Sequence, residues 1–220
     1  MYQPILLLCY AVILLTVLVV ASSIGTLVVL KLKEYSIMKA AALSALLAHL
    51  VLTPATLYTI LSCRLGNYYT LRLTPYTLLA VAASAILSYY INTRKFVRKY
   101  RTPITYTPPW LTVLVALAAA PFNEETIFRL LLLLGLVAYM GIPVAVATTA
   151  IVFAALHYQS TPPKALPGII VLAIIFSIPP ILEKNIASSI ISHAIANAVG
   201  LAIAFRKERY GERAISHHMD

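Results

Sequence analysis

Charge is what this chain has least of. Only 11% of its 220 residues are charged and only 7 are acidic, while 61% are hydrophobic. A soluble domain carries about 25% charged residues, so the composition, with a mean hydropathy of +0.89, excludes a soluble globular protein. It points to one polytopic membrane domain with no length left for a second, soluble one. Barrel-type alternation is missing too. The apolar runs are long and continuous, so of the two architectures that span a bilayer the chain must use helices. Cysteine is scarce: Cys9 and Cys63 form no Cys-x-x-Cys pair and suggest neither a disulfide nor a metal site. No basic stretch precedes the first apolar run, which is longer than a signal-peptide core, and an uncleaved transmembrane helix is expected there. Internal repeats and paired broken helices are absent, which argues against a transporter or proton relay, although intramembrane Glu and His chains suit pumps.

The apolar runs are residues 5–30, 40–63, 76–91, 110–140, 144–158, 168–182 and 187–205. The second contains His49, read as a packed or interfacial histidine, and Pro54, expected to kink it. Residues 64–75 and 159–167 read as loops, and the tail from Arg206, with His217 and His218, as polar and frayed. The formal charge of +10 is not a nucleic-acid signal, because the bases sit between the runs, where they orient the protein and meet anionic lipid. Arg94, Lys95, Arg98, Lys99 and Arg101 form the densest cluster, followed by Pro103, Pro108 and Pro109. This is a stiff surface connection on the cytoplasmic side, with Tyr100 and Tyr106 suited to the headgroup layer. If residues 110–140 form one kinked span, the Lys31/Lys33 loop, the 94–101 loop and the 206–213 tail share a side. Seven spans then satisfy the charge rule with the N-terminus outside; eight spans would place the basic tail outside.

Against this apolar background, Asn123-Glu124-Glu125-Thr126-Ile127-Phe128-Arg129 is costly. A charge at bilayer depth costs about 2.5–3.5 kcal/mol on insertion scales. On a helix Glu125 and Arg129 are i and i+4 and pair on one face. Glu124 is turned away by roughly 100° and keeps no such partner. One carboxylate can be structural and the other free for chemistry; the bland alternative is a helix start at a membrane surface, where acidic residues suit the helix dipole. Two further i, i+4 pairs follow: Phe153 with His157, and His193 with Asn197. Polar groups at bilayer depth should face the bundle interior or a wet cavity. A carboxylate, two imidazoles and an amide meeting there suffice for hydrolysis. Glu124 would take a proton from water, helped by His157, and His193 and Asn197 would hydrogen-bond the developing oxyanion. No Ser-His-Asp or Cys-His set competes, since Ser192 points to a different face from His193. A catalytic zinc needs three protein ligands, and Glu124, His157 and His193 could supply them. There is no His-Glu-x-x-His, and Asn197 beside His193 suits an oxyanion hole better than a ligand shell, which favours a metal-free reading.

Glu-Glu-x-x-x-Arg at 124–129, Phe-x-x-x-His at 153–157 and His-x-x-x-Asn at 193–197, in that order in an apolar chain, resemble the CPBP family. These are the CAAX proteases and bacteriocin-processing enzymes, also called Abi or Rce1-type intramembrane proteases. The resemblance covers residues 110–205. It implies an all-α transmembrane bundle with a conical intramembrane cavity lined by the motif helices, and an endopeptidase of the CAAX-processing type in the cell membrane. It implies Glu124 as the water-activating carboxylate, His157 as its partner, and His193 and Asn197 as oxyanion stabilisers. Glu125, Phe128 and Arg129 would be structural and Phe153 would shape the cavity wall. Family members are described both as zinc metalloendopeptidases and as metal-free glutamate proteases, and others are immunity proteins; a catalytically inert scaffold or immunity protein that keeps the motifs for packing alone is the third class open to this chain. The implied substrate is a C-terminal CaaX-like peptide, prenylated or otherwise membrane-associated, or a leader peptide. The expected division is 1–102 for N-terminal spans and the basic loop, 103–206 for the catalytic core and 207–220 for the tail.

Overall fold

The computed structural model describes residues 3–31, 37–70, 72, 74–94, 109–158 and 161–216, without the side chains of 26, 28–31, 37–42, 45–46, 109 and 207–216. Lys33, Lys95, Arg98, Lys99, Tyr100, Arg101, Pro103, Tyr106, Pro108, His217 and His218 lie outside the described residues. The described chain is helical, with no strand. Its helices are α1 (Pro4–Lys31), α2 (Ile37–Ser62), α3 (Pro75–Thr93), α4 (residues 109–140), α5 (residues 142–156), α6 (Leu166–Glu183) and α7 (Ile186–Ser216). Among the described residues four stretches are long and apolar enough to cross a membrane: Pro4–Gly25, Trp110–Leu156, Pro163–Glu183 and Ile186–Arg206. Helices suit such a solvent because every backbone bond closes within the segment.

The loops expected at 64–75 and 159–167 carry short 3-10 turns, Gly66–Tyr69 and Pro163–Ala165. The frayed tail is not seen up to Ser216, where the α7 backbone is still helical. Local chemistry fixes the helix ends. Thr74 accepts the backbone N–H of Thr77 as the N-cap of α3, with Pro75 in the first turn. Lys184 closes α6 in the left-handed conformation, and Asn185 Oδ1 accepts the Ser188 N–H at the start of α7. That two-residue connection makes α6 and α7 antiparallel neighbours.

α1 packs on α2, and α3 packs on α7. Along the second interface hydroxyls on α3 meet α7 in rising order. Thr77 hydrogen-bonds Ser188 at 2.7 Å, Ser84 donates to the Ser192 carbonyl at 3.0 Å and Ser88 to the Ala196 carbonyl at 2.6 Å. Small hydroxylated residues let two helices approach closely and bond across the gap where lipid offers no alternative partner. Because both residue numbers increase together, α3 and α7 run parallel.

Residues 110–140 were open to reading as two helices or as one kinked helix. They form a single segment with two π-helical stretches, Val115–Ala119 and Thr126–Leu133. The break comes at Gly141, with φ 72° and ψ 167°, where the sequence reading ended the run. Pro143 follows it. That backbone region is essentially restricted to glycine. A Cβ at Gly141 would meet nothing within 4 Å, so the constraint is conformational, not steric. Gly141→Ala is therefore expected to destabilise the protein by about 1–3 kcal/mol, read as a lower unfolding midpoint in detergent; an unchanged midpoint would mean that α4 and α5 do not need this bend.

Candidate functional site

Glu125 is completely buried, and so is Arg129 one turn on. The i, i+4 spacing brings Arg129 Nε to 3.1 Å from Glu125 Oε2, although the N–H is misaligned for a hydrogen bond. The guanidinium also donates to the Ala173 carbonyl of α6 at 3.1 Å. It lies 4.5 Å from the ring centroid of Phe153, 5.4 Å from that of Phe176 and 5.8 Å from that of Phe128, all within cation–π reach. The second Glu125 oxygen takes His193 Nδ1 at 2.7 Å. Glu125 thus joins α4 to α7, Arg129 joins α4 to α6, and Phe153 packs edge-on to Phe128 with centroids 5.1 Å apart.

This cluster orients His193. A carboxylate only accepts, so Nδ1 carries the proton of the neutral ring and Nε2 is left as an acceptor. Phe176 stacks on the imidazole at 5.0 Å and 13°. His157 closes α5 in the same sense: its Nδ1 lies 2.9 Å from the Phe153 carbonyl, also an acceptor only, which again leaves Nε2 as an acceptor when neutral. Both Nε2 atoms face Glu124, His157 at 3.9 Å and His193 at 3.8 Å from Oε2. That oxygen is buried and has no hydrogen-bond partner among the described residues. The structure therefore brings together Glu124, His157 and His193 from α4, the end of α5 and α7.

Asn197 lines the same pocket, of about 500 Å³, as His157, His193 and Phe153. Glu124 is not among the lining residues, but His49, His157 and His193, each within 4 Å of its carboxylate, are. A helix defect sets the Asn197 amide. The Ala120 N–H bonds Val115 O in the π register, so Ala116 O would next take the N–H of residue 121. Residue 121 is proline and has none. The orphaned carbonyl accepts Asn197 Nδ2 at 2.8 Å, leaving the second amide N–H uncommitted by that bond.

Two residues of the site were not picked out by sequence reasoning. His49, expected to be a packed or interfacial histidine, places Nε2 3.3 Å from Glu124 Oε1 and lines the pocket. Asn123 donates to the His49 carbonyl at 2.8 Å and contacts Thr53 Oγ1 at 3.1 Å, which pins α2 to α4. The available signal was the rule that an ionisable side chain in a membrane helix is functional until shown otherwise. As for metals, His157 and His193 each direct Nδ1 at an oxygen, the arrangement typical of metal-bound histidine. Even so, no group of three or more His, Cys, Asp or Glu among the described residues is placed to hold an ion.

Removing one partner of a buried ion pair strands the other, at a cost of about 3–5 kcal/mol. Glu125→Gln is therefore expected to lower stability by that order in a denaturant titration in detergent, with Glu124→Gln losing much less. Equal losses would show that the two carboxylates do not divide the work in this way.

No curated protein and no solved structure matches the chain. The apolar helices mark it as an integral membrane protein. Residues 106–199, which hold all three motifs, match the family model described as "Type II CAAX prenyl endopeptidase Rce1-like", consistent with the CPBP, or CAAX protease, family that those motifs resemble.

Proposed function

We propose that the protein is an intramembrane endopeptidase of the CAAX-processing type, with Glu124 as the base that activates water. The observation that carries this reading is the bare, buried Oε2 of Glu124, flanked by two imidazole nitrogens at 3.8 and 3.9 Å. Those separations are too long for direct hydrogen bonds and suit a bridging water. In this mechanism the water oxygen bonds to the peptide carbonyl carbon while its proton passes to Glu124. The oxyanion is held by the free Asn197 N–H and by His193 in its imidazolium form, whose Nδ1–H is held by Glu125. As the C–N bond breaks, the proton moves by way of His157 to the leaving nitrogen. The substrate is a peptide or protein of the class in the matched family's description, a prenylated C-terminal CaaX-like chain or another membrane-associated peptide.

A zinc-dependent version has one observation in its favour, the pair of Nε2 acceptors facing one carboxylate; Glu124, His157 and His193 would hold the ion. The metal-free form is preferred because the chain has no His-Glu-x-x-His and because Asn197, one turn from His193, suits an oxyanion hole better than a ligand shell. Purified protein in detergent, given internally quenched farnesylated CaaX peptides, separates the readings. Glu124→Gln is expected to abolish cleavage with the fold retained, Asn197→Ala to slow it by about 10²–10³, and chelator to have no effect. Wild-type turnover by Glu124→Gln would overturn the base, and loss of activity with chelator would establish the zinc form.

The same reading places seven spans in the membrane, a conical cavity opening to the cytoplasm, and the N-terminus outside. The parallel α3 and α7 support an odd number of crossings between them, as α4, α5 and α6 would supply, and Arg94 and Arg206 then fall towards the same side. Cysteines introduced at Lys99 and Ser216 should label from the cytoplasmic face only. Labelling from opposite faces would require eight spans.

A further inference from the structure

The three histidines around Glu124 are not equivalent. His157 and His193 each direct Nδ1 at an oxygen that only accepts, at 2.9 and 2.7 Å, so in their neutral forms Nε2 receives protons. His49 is the reverse. Its Nδ1 is buried with no hydrogen-bond partner among the described residues, and its Nε2 lies 3.3 Å from Glu124 Oε1. With no acceptor at Nδ1 and a carboxylate at Nε2, the neutral ring places its proton on Nε2 and donates it to Glu124. His49 is also the nearest of the three rings to the carboxylate.

Its backbone is held as closely as its side chain. Asn123 Nδ2 donates to the His49 carbonyl at 2.8 Å, and Thr53 Oγ1 donates to the same oxygen at 2.8 Å. Two successive residues of α4 thus grip one residue of α2: Asn123 takes its main chain and Glu124 its ring. The terminal torsion of a glutamate is broad and soft. A donor fixed on Oε1 sets that torsion and leaves Oε2 turned to the gap between His157 and His193. His49 lies in α2, outside the matched segment 106–199, so the match assigns it nothing.

We propose that His49 is a positioning residue for the Glu124 base, an Nε2–H donor that holds Oε1 so that Oε2 faces the water and the Nε2 atoms of His157 and His193. The proposal rests on the endopeptidase reading for its effect on turnover, but not for the hydrogen bond itself.

Two measurements on the full-length protein in detergent test it. In ¹⁵N-histidine NMR, with the signal assigned through His49→Gln, His49 should show the Nε2–H tautomer and should shift in Glu124→Gln. An Nδ1–H tautomer for His49, or a signal blind to Glu124→Gln, overturns the proposal whether or not the protein cleaves anything. The second measurement is turnover of quenched farnesylated CaaX peptides. A glutamine amide nitrogen reaches the Nε2 position, whereas that of asparagine reaches only the Nδ1 position. His49→Phe and His49→Asn should lower kcat about 10–100-fold with KM unchanged, the scale of a misplaced reacting group, and His49→Gln should restore most of it. Equal rates for Gln and Asn, or a loss confined to KM, overturn it. If His49→Phe does not fold, the Gln and Asn pair decides alone. A wild-type protein that cleaves none of these peptides defeats the CAAX reading, and the NMR signal then decides by itself whether the His49–Glu124 bond exists.

Discussion

A carboxylate with no exposed surface between a guanidinium and an imidazole is the fixed point of this bundle. Glu125 holds Arg129 at 3.1 Å and His193 at 2.7 Å, and through them α4 reaches α6 and α7. In a low-dielectric interior none of the three can be left alone, because desolvation of an unpaired charge costs several kcal/mol. Their mutual satisfaction therefore dictates how the helices meet. The aromatic groups follow: Phe153 lies between Arg129 and His157, and Phe176 lies flat on His193. The neighbouring Glu124, spared this duty, is the carboxylate with an oxygen to spare.

That division was legible in the sequence because it depends on helical spacing alone. Two adjacent glutamates cannot face the same way, and only one has an arginine four residues on. The pairs Phe153/His157 and His193/Asn197 were legible for the same reason, and the structure brings Glu124 to within 4 Å of both imidazoles. His49 was not legible. Its partner is 75 positions away, and a lone histidine in an apolar run carries no periodic signal to show which way it faces. The hydrogen-bond shift around Pro121 was hidden as well. A proline's missing N–H can be read from sequence, but the carbonyl it strands depends on whether the turn before it is α or π.

The N-terminal helices looked from sequence like spans and little else. Packing gives two of them a part in the site. α2 presents His49 to Glu124, and α3 carries the hydroxyls that meet Ser188, Ser192 and Ala196 along the helix that bears His193 and Asn197. Bonds from hydroxyls to main-chain carbonyls fix how far one helix slides along another, largely independently of side-chain identity on the accepting helix.

That parallel ladder bears on how the protein could be cut or recombined. Sequence similarity stops at residue 199 on one side and 106 on the other, yet the axial position of His193 is measured off α3, well before that boundary. A chimera that transplanted the matched segment onto foreign N-terminal helices would inherit every motif and lose the ruler against which one of them is set. The transferable unit is the segment together with the row at Thr77, Ser84 and Ser88, three unassuming residues that a motif-guided graft would discard first.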